Sequence, residues 1–176
     1  MKKLAMLLFL MVLGATLSTV SLVSPAAASG TSFGFSLVGP QSTKADSGPF
    51  AGDTLRTTGS GSFDTSTGSI VASGSFTHFR ADGTVFDKGT WQATSFVSFT
   101  PFGGPNPGLQ GGTLNFIATA FPDGGEPVPG FSVTVNCRIN APPSFKGHEG
   151  VLVVLVGDDF DFTDVTRGAT LFHLNE

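Results

Sequence analysis

Apolar and polar residues alternate with a period of two through most of the chain that follows the N-terminal segment. In "SFGFSLV", Phe33, Phe35 and Leu37 lie on one face, and in "FSVTVNCRIN" Val133 and Val135 do the same. Alternation of this kind indicates β-strands with one buried and one exposed face. Beyond residue 28, no stretch has an apolar period of about 3.6 residues that is long enough to predict a helix.

Glycine, proline, asparagine and aspartate interrupt the alternation at short intervals and divide it into strands. The nine predicted strands cover residues 32–38, 54–63, 69–79, 84–99, 113–121, 131–140, 151–156, 159–163 and 169–174. The segment 39–52 lacks the pattern, and we expect it to be irregular. Many short strands separated by turn residues are typical of an all-β barrel or sandwich.

The pattern predicts an all-β, single-domain antiparallel β-barrel of about eight or nine strands over residues 29–176. Short connections favour pairing of consecutive strands, and closure of the sheet removes its exposed edges. A Greek-key β-sandwich is the alternative, because one sequence does not determine strand order. The Gly/Pro-rich segments 100–112 and 121–130 are predicted loops within the domain, because strands continue on both sides of each.

The N-terminal segment has the features of a Sec-type signal peptide. Lys2 and Lys3 precede an unbroken apolar run over residues 4–13, and Ala26 and Ala28 provide small residues before Ser29. We expect residues 1–28 to be cleaved and the remainder to be exported, soluble and free of the membrane. The alternative is an uncleaved anchor, because the apolar segment is about as long as a bilayer-spanning helix of roughly 20 residues.

Charge and cysteine content narrow the choice of partners and of source. The net charge is −4, and loss of the two N-terminal lysines makes the chain more acidic. With no basic cluster, we expect no nucleic-acid partner.

The single cysteine, Cys137, excludes an internal disulfide, which in an exported protein favours a bacterial or archaeal source. Cys137 lies on the apolar face of its strand, so we expect it to be a core residue.

No motif predicts a metal or a cofactor. His78, His148 and His173 are far apart and lack the spacing of zinc ligands. The acidic segment 157–168 departs from the calcium-loop pattern, because Thr163 and Asp164 occupy positions that the pattern reserves for other residues. Nucleophile-elbow, P-loop and dinucleotide motifs are also absent from the sequence, so we assign no catalytic residue and leave the question of an enzyme open.

The hairpin at residues 73–91 contains a histidine among charged residues. A three-residue turn at 81–83 would place His78 opposite Phe86 and put Asp87 on the other face. We therefore expect His78 to lack the orienting carboxylate that a general base needs. A bulge at residues 87–89 would change the face of Trp91.

A ligand would bind in the interior or at one end of the predicted barrel. Alternate loops gather at one end and bring together Phe102, Phe145, Lys146, His148 and Arg167. The tentative ligand-binding residues are Phe102, Phe145, His148, Arg167, Phe33, Phe35 and Phe116. An interior void lined by the last three of these and Val135 would favour binding of an apolar or aromatic small molecule.

Two other functions are alternatives. The first is an extracellular surface or matrix protein that acts by contact with a cell-surface component, either protein or glycan. The second is a small secreted enzyme. Its only candidate residues are His78, Arg80, His148 and Glu149, and none has a defined role.

Overall fold

The computed structural model describes residues 32–106, 108–155 and 160–175. The predicted signal peptide, residues 1–28, lies outside these ranges. The strands are β1 Ser32–Leu37, β2 Gln41–Ala45, β3 Thr54–Asp64, β4 Ser69–Phe79, β5 Val85–Asn106, β6 Leu109–Pro122, β7 Val128–Cys137, β8 Gly150–Leu155, β9 Asp161–Arg167 and β10 Thr170–Leu174. One 3-10 helix, Gly48–Phe50, lies between β2 and β3.

The described strands form a single antiparallel sheet that closes into a ring, so the all-β prediction is confirmed. Strands β2 to β9 pair in chain order, as predicted, and β9 closes the ring by pairing with β2, where Phe162 lies opposite Ala45. None of the described residues belongs to a helix that is long and apolar enough to cross a membrane.

The first and last strands make the two ends of the ring different. β1 pairs with β10 and with the second half of β3, where Ser32 lies opposite Asp64. β10 pairs in turn with the start of β6, where Phe172 lies opposite Gln110. The ring therefore has eight strands, β2 to β9, at the end where β2 pairs with β3, and six at the other end: β1, β3, β4, β5, β6 and β10. We call these the eight-strand end and the six-strand end.

Two regions differ from the prediction, and both extend the sheet. β2 lies in the segment expected to be irregular. Its inward residues include Gln41 and Thr43, which are polar yet buried, so the apolar alternation that identifies strands is missing. The described strands therefore number ten, not eight or nine. β5 and β6 cover most of the predicted loop 100–112, because register shifts accommodate its glycines, including Gly103 with φ +77°.

The six-strand end is filled with aromatic rings. Phe63 is buried at the centre of this cluster, with ring centroids 5.2 Å from Phe33 and 4.9 Å from Phe99. Phe172 stands edge-on to the Phe63 ring at 6.1 Å, and Phe96 stacks on it at 5.9 Å. Phe63 and the four rings packed around it fill this end of the ring.

Cys137 is buried in the core, as its position on the strand predicts. It is the one cysteine of the chain, which therefore has no internal disulfide. Burial raises the pKa of the Cys137 thiol, which disfavours the reactive thiolate. Both observations agree with a packing role.

Candidate functional site

The eight-strand end encloses a cavity of about 500 Å³. Its lining is almost entirely apolar. It comes from β1, from each of the strands β3 to β8, and from the connections near the mouth. Phe35 in this lining adjoins the aromatic cluster of the six-strand end, since its ring centroid lies 6.1 Å from that of Phe116 and 6.3 Å from that of Phe172. The centroid of the Trp91 ring system lies 5.8 Å from that of Phe116, and together they form the cavity floor.

Two glycines determine the position of the Trp91 indole. Gly74 lies opposite Trp91 on the neighbouring strand, and Gly59 lies opposite Gly74 on the next one. A Cβ on Gly74 would lie 2.6 Å from Trp91 Nε1, and one on Gly59 would overlap the indole ring. Trp91 Nε1 donates a hydrogen bond of 3.0 Å to the backbone oxygen of Thr58. The indole is therefore held across the interior with its polar atom satisfied.

Valines of two neighbouring strands form one cavity wall. Val133 and Val135 point inward from β7, and Val151 and Val153 point inward from β8. Alternation along these strands directs Ser132, Thr134 and their counterparts on β8 to the outside. This wall offers a ligand only dispersion contacts and the removal of its apolar surface from water.

Aromatic rings surround the mouth of the cavity, at the eight-strand end. The Phe50 ring, from the 3-10 helix, lies edge-on to the His78 ring at 5.2 Å and to the Phe160 ring at 5.4 Å. Phe86 completes this group, 4.9 Å from His78. Proline at the start of the 3-10 helix restricts its backbone, so Phe50 is held over the mouth.

A buried histidine–aspartate pair joins the mouth to the cavity wall. His78 Nε2 lies 2.8 Å from Asp53 Oδ2, and the histidine is only 3% exposed. The other carboxylate oxygen of Asp53 accepts a hydrogen bond of 2.8 Å from the Ala81 backbone nitrogen. Asp53 therefore fixes the segment after the 3-10 helix to the turn between β4 and β5. The prediction that His78 lacks a carboxylate partner was wrong, because its partner comes from a different strand connection.

The register of the hairpin also differs from the prediction. His78 lies opposite Asp87 and not opposite Phe86, because Phe86 is an extra residue in β5. This bulge places Asp87 and Trp91 on the same face as His78, so the prediction that Asp87 lies on the other face was wrong. The turn itself is as expected, since the backbone nitrogen of Arg80 bonds the oxygen of Thr84.

The cavity wall contains few polar groups. Thr57 points inward from β3 and is 6% exposed, and its hydroxyl has no hydrogen-bond partner in the described part of the chain. Asp87 lies at the mouth, at the level of His78. Among the residues that line the cavity there is neither lysine nor arginine.

The residues predicted to bind a ligand are divided between the two ends. Phe35, Phe116 and Val135 line the cavity, whereas Phe33 packs in the aromatic cluster below it. The remaining four, Phe102, Phe145, His148 and Arg167, lie outside the cavity lining, on the side of the six-strand end.

Of these four residues, Phe102 and Phe145 are in contact with each other. The Phe102 and Phe145 rings lie 4.9 Å apart, whereas His148 and Arg167 are exposed. A role in ligand binding for this group stays a prediction. Within the described ranges, no group of three His, Cys, Asp or Glu side chains is close enough to hold a metal ion.

No protein-family model, curated protein or solved structure matches this chain.

Proposed function

We propose that the chain is an exported binding protein that carries an apolar or aromatic small molecule in the cavity at its eight-strand end. The observation that supports this most is the cavity itself, whose volume of about 500 Å³ falls in the range of roughly 300–1,000 Å³ usual for ligand sites. Its apolar lining suits a molecule that gains free energy by leaving water.

We further propose that the ring of strands is a barrel. Eight strands enclose an interior just wide enough to be filled by side chains or to hold one small ligand. Valine and alanine, which are small, face the interior at Val133, Val153 and Ala118. Their size leaves at the eight-strand end the space that phenylalanine fills at the six-strand end. Export rests on the predicted signal peptide at residues 1–28.

The test is binding of a neutral fluorescent probe, N-phenyl-1-naphthylamine, to the chain without its signal peptide. We expect its fluorescence to rise on binding to wild type and to stay low with Val153→Trp, which fills the cavity. The control is Val154→Trp, because Val154 is the next residue on the same strand and faces the other way. This control should bind the probe as wild type does.

Equal binding by Val153→Trp and wild type would contradict the proposed site. A wild-type protein that binds no probe would contradict the proposed function and would favour the surface-protein alternative, in which the chain contacts a cell-surface macromolecule.

A second candidate is an enzyme that acts on a molecule bound in the same cavity. The pairing of His78 Nε2 with Asp53 Oδ2 at 2.8 Å favours it, because a carboxylate orients an imidazole for proton transfer in this way. The two functions differ in the fate of the ligand. A carrier returns the ligand with unchanged mass and chromatographic retention, whereas an enzyme returns an altered one that His78→Phe does not produce.

A further inference from the structure

We propose that the natural ligand is uncharged and carries one hydroxyl or carbonyl group that forms a hydrogen bond with Thr57 inside the cavity. This inference rests on the proposed function, and it adds the chemical class of the ligand and the residue that selects it.

The Thr57 hydroxyl is the polar group in the wall that a ligand would satisfy. Its oxygen is buried and has no hydrogen-bond partner among the described residues. A buried hydroxyl without a partner costs free energy, and such groups in proteins require an explanation, for example a bound molecule. Rotation of χ1 between staggered positions exchanges the hydroxyl and the methyl group, so the hydroxyl can turn toward a ligand.

The strand register shows how deep this group lies. Leu55 lies opposite His78 at the mouth, and Thr57 is two residues further along β3, toward Gly59 and the Trp91 floor. Two residues of a strand span about 7 Å. A ligand bound to Thr57 therefore places its polar group well inside the cavity, and its apolar remainder contacts the valine wall and the aromatic mouth.

The charges around the cavity disfavour an anionic ligand. Asp87 lies at the mouth, Asp53 is paired with His78 behind it, and the lining contains no lysine or arginine. Arg80 is exposed and lies over the Phe86 ring at the mouth, 4.7 Å from its centroid, but the deeper lining contains no cation. Transfer of a carboxylate from water into that deeper part has a large cost, because no cation compensates it there. The deeper part of the lining contains no ionisable side chain either, so a cation finds no partner there.

The test uses three competitors that share one ring system: naphthalene, 2-naphthol and 2-naphthoate. Each displaces N-phenyl-1-naphthylamine from wild type, Thr57→Val and Thr57→Ser. We expect 2-naphthoate to bind most weakly to all three proteins. Relative to naphthalene, the affinity for 2-naphthol should fall about 5- to 10-fold in Thr57→Val, because the hydroxyl of the competitor loses its partner, and Thr57→Ser should restore it.

Thr57→Val should fold at least as stably as wild type, because it replaces an unpartnered buried hydroxyl with a methyl group. Its thermal midpoint checks this directly. This inference would be overturned if Thr57→Val left the ratio of the 2-naphthol and naphthalene affinities unchanged, or if 2-naphthoate bound most tightly. In either case, binding of the probe would still support the carrier function. Failure of the probe to bind wild type would overturn both.

Discussion

Phenylalanine side chains line both ends of the ring, yet one end is solid and the other is hollow. At the six-strand end Phe63 contacts the rings of Phe33, Phe99 and Phe172. At the eight-strand end Phe50, Phe86 and Phe160 stand around a cavity. Two features explain the difference. The diameter of a closed sheet grows with its strand count, and the valines and alanines of the eight-strand end fill less space than phenylalanine does. β1 and β10 therefore decide where the chain is packed and where it can hold a ligand.

The comparison also implies that stability and binding are divided between the ends. Side chains in a packed core have contacts on all sides, whereas those that line a cavity lack partners on one side. We therefore expect the six-strand end to provide most of the stability per residue. The eight-strand end is expected to gain stability when a ligand fills it.

The largest expected loss of stability follows removal of an aromatic side chain from the six-strand end. Phe63→Ala should lower the free energy of unfolding by about 3–5 kcal/mol, because it leaves a cavity among tightly packed rings. The matched variant is Phe131→Ala, in which a partly buried phenylalanine is removed from the cavity wall. It should cost about 1–2 kcal/mol, since less surface and fewer contacts are lost.

Unfolding in urea measures both variants. Equal losses for Phe63→Ala and Phe131→Ala would contradict the division of stability between the two ends.

A smaller effect is expected at the boundary between the two ends. Gly74→Ala places a Cβ against the Thr58 backbone oxygen, 2.6 Å from Trp91 Nε1 and 2.7 Å from the Gly59 Cα, so the backbone and the indole must shift. We expect destabilisation of about 1–3 kcal/mol, as for other overpacked cores. Trp91 is the only tryptophan, so its fluorescence reports the shift directly as a change in emission wavelength.

The control for this variant is Ser73→Ala, at the exposed neighbouring position on β4, which should leave the emission unchanged. An unchanged emission in Gly74→Ala would mean that these glycines do not determine the position of the indole.

The smallest expected change in stability is electrostatic. It comes from one turn aspartate at each end of the ring, and we expect the two aspartates to contribute similarly. Hydrogen bonds from the Ser66 side chain and the Thr67 backbone lower the pKa of Asp64, in the turn between β3 and β4. Hydrogen bonds from the Thr84 side chain and backbone lower the pKa of Asp82, in the turn between β4 and β5. A lowered pKa means that each carboxylate stabilises the fold above its ordinary pKa of 3.8 and that this contribution disappears as the pH falls through the lowered value.

Wild type should therefore be slightly more stable than Asp64→Asn or Asp82→Asn at pH 7, and the difference should shrink in acid. Thermal midpoints at pH 7 and pH 3 measure it. A difference that grows in acid would contradict the role of these carboxylates, and an effect confined to one end would break the expected equivalence.

Local sequence patterns were sufficient for much of the fold. The alternation around Phe35, Phe116 and Val135 predicts strands and their inward faces, because every second side chain of a β-strand points to the same face. Cys137 lies on the apolar face of its strand in the same alternation and is buried as predicted. The pattern does not predict β2, because its inward residues Gln41 and Thr43 are polar, and their burial depends on partners such as the Gly39 and Leu55 backbone oxygens.

The all-β class, most strands and their inward faces follow from the amino-acid sequence alone, since they depend on residues close together in the chain. Long-range packing, by contrast, places β1 and β10 at the six-strand end and brings Asp53 to His78 across 25 residues of sequence. It also makes Phe86 the bulge that directs Trp91 inward. These features depend on which distant strands meet and in which register, and no local pattern encodes that, because the free energy comes from packing that exists only after the ring has closed.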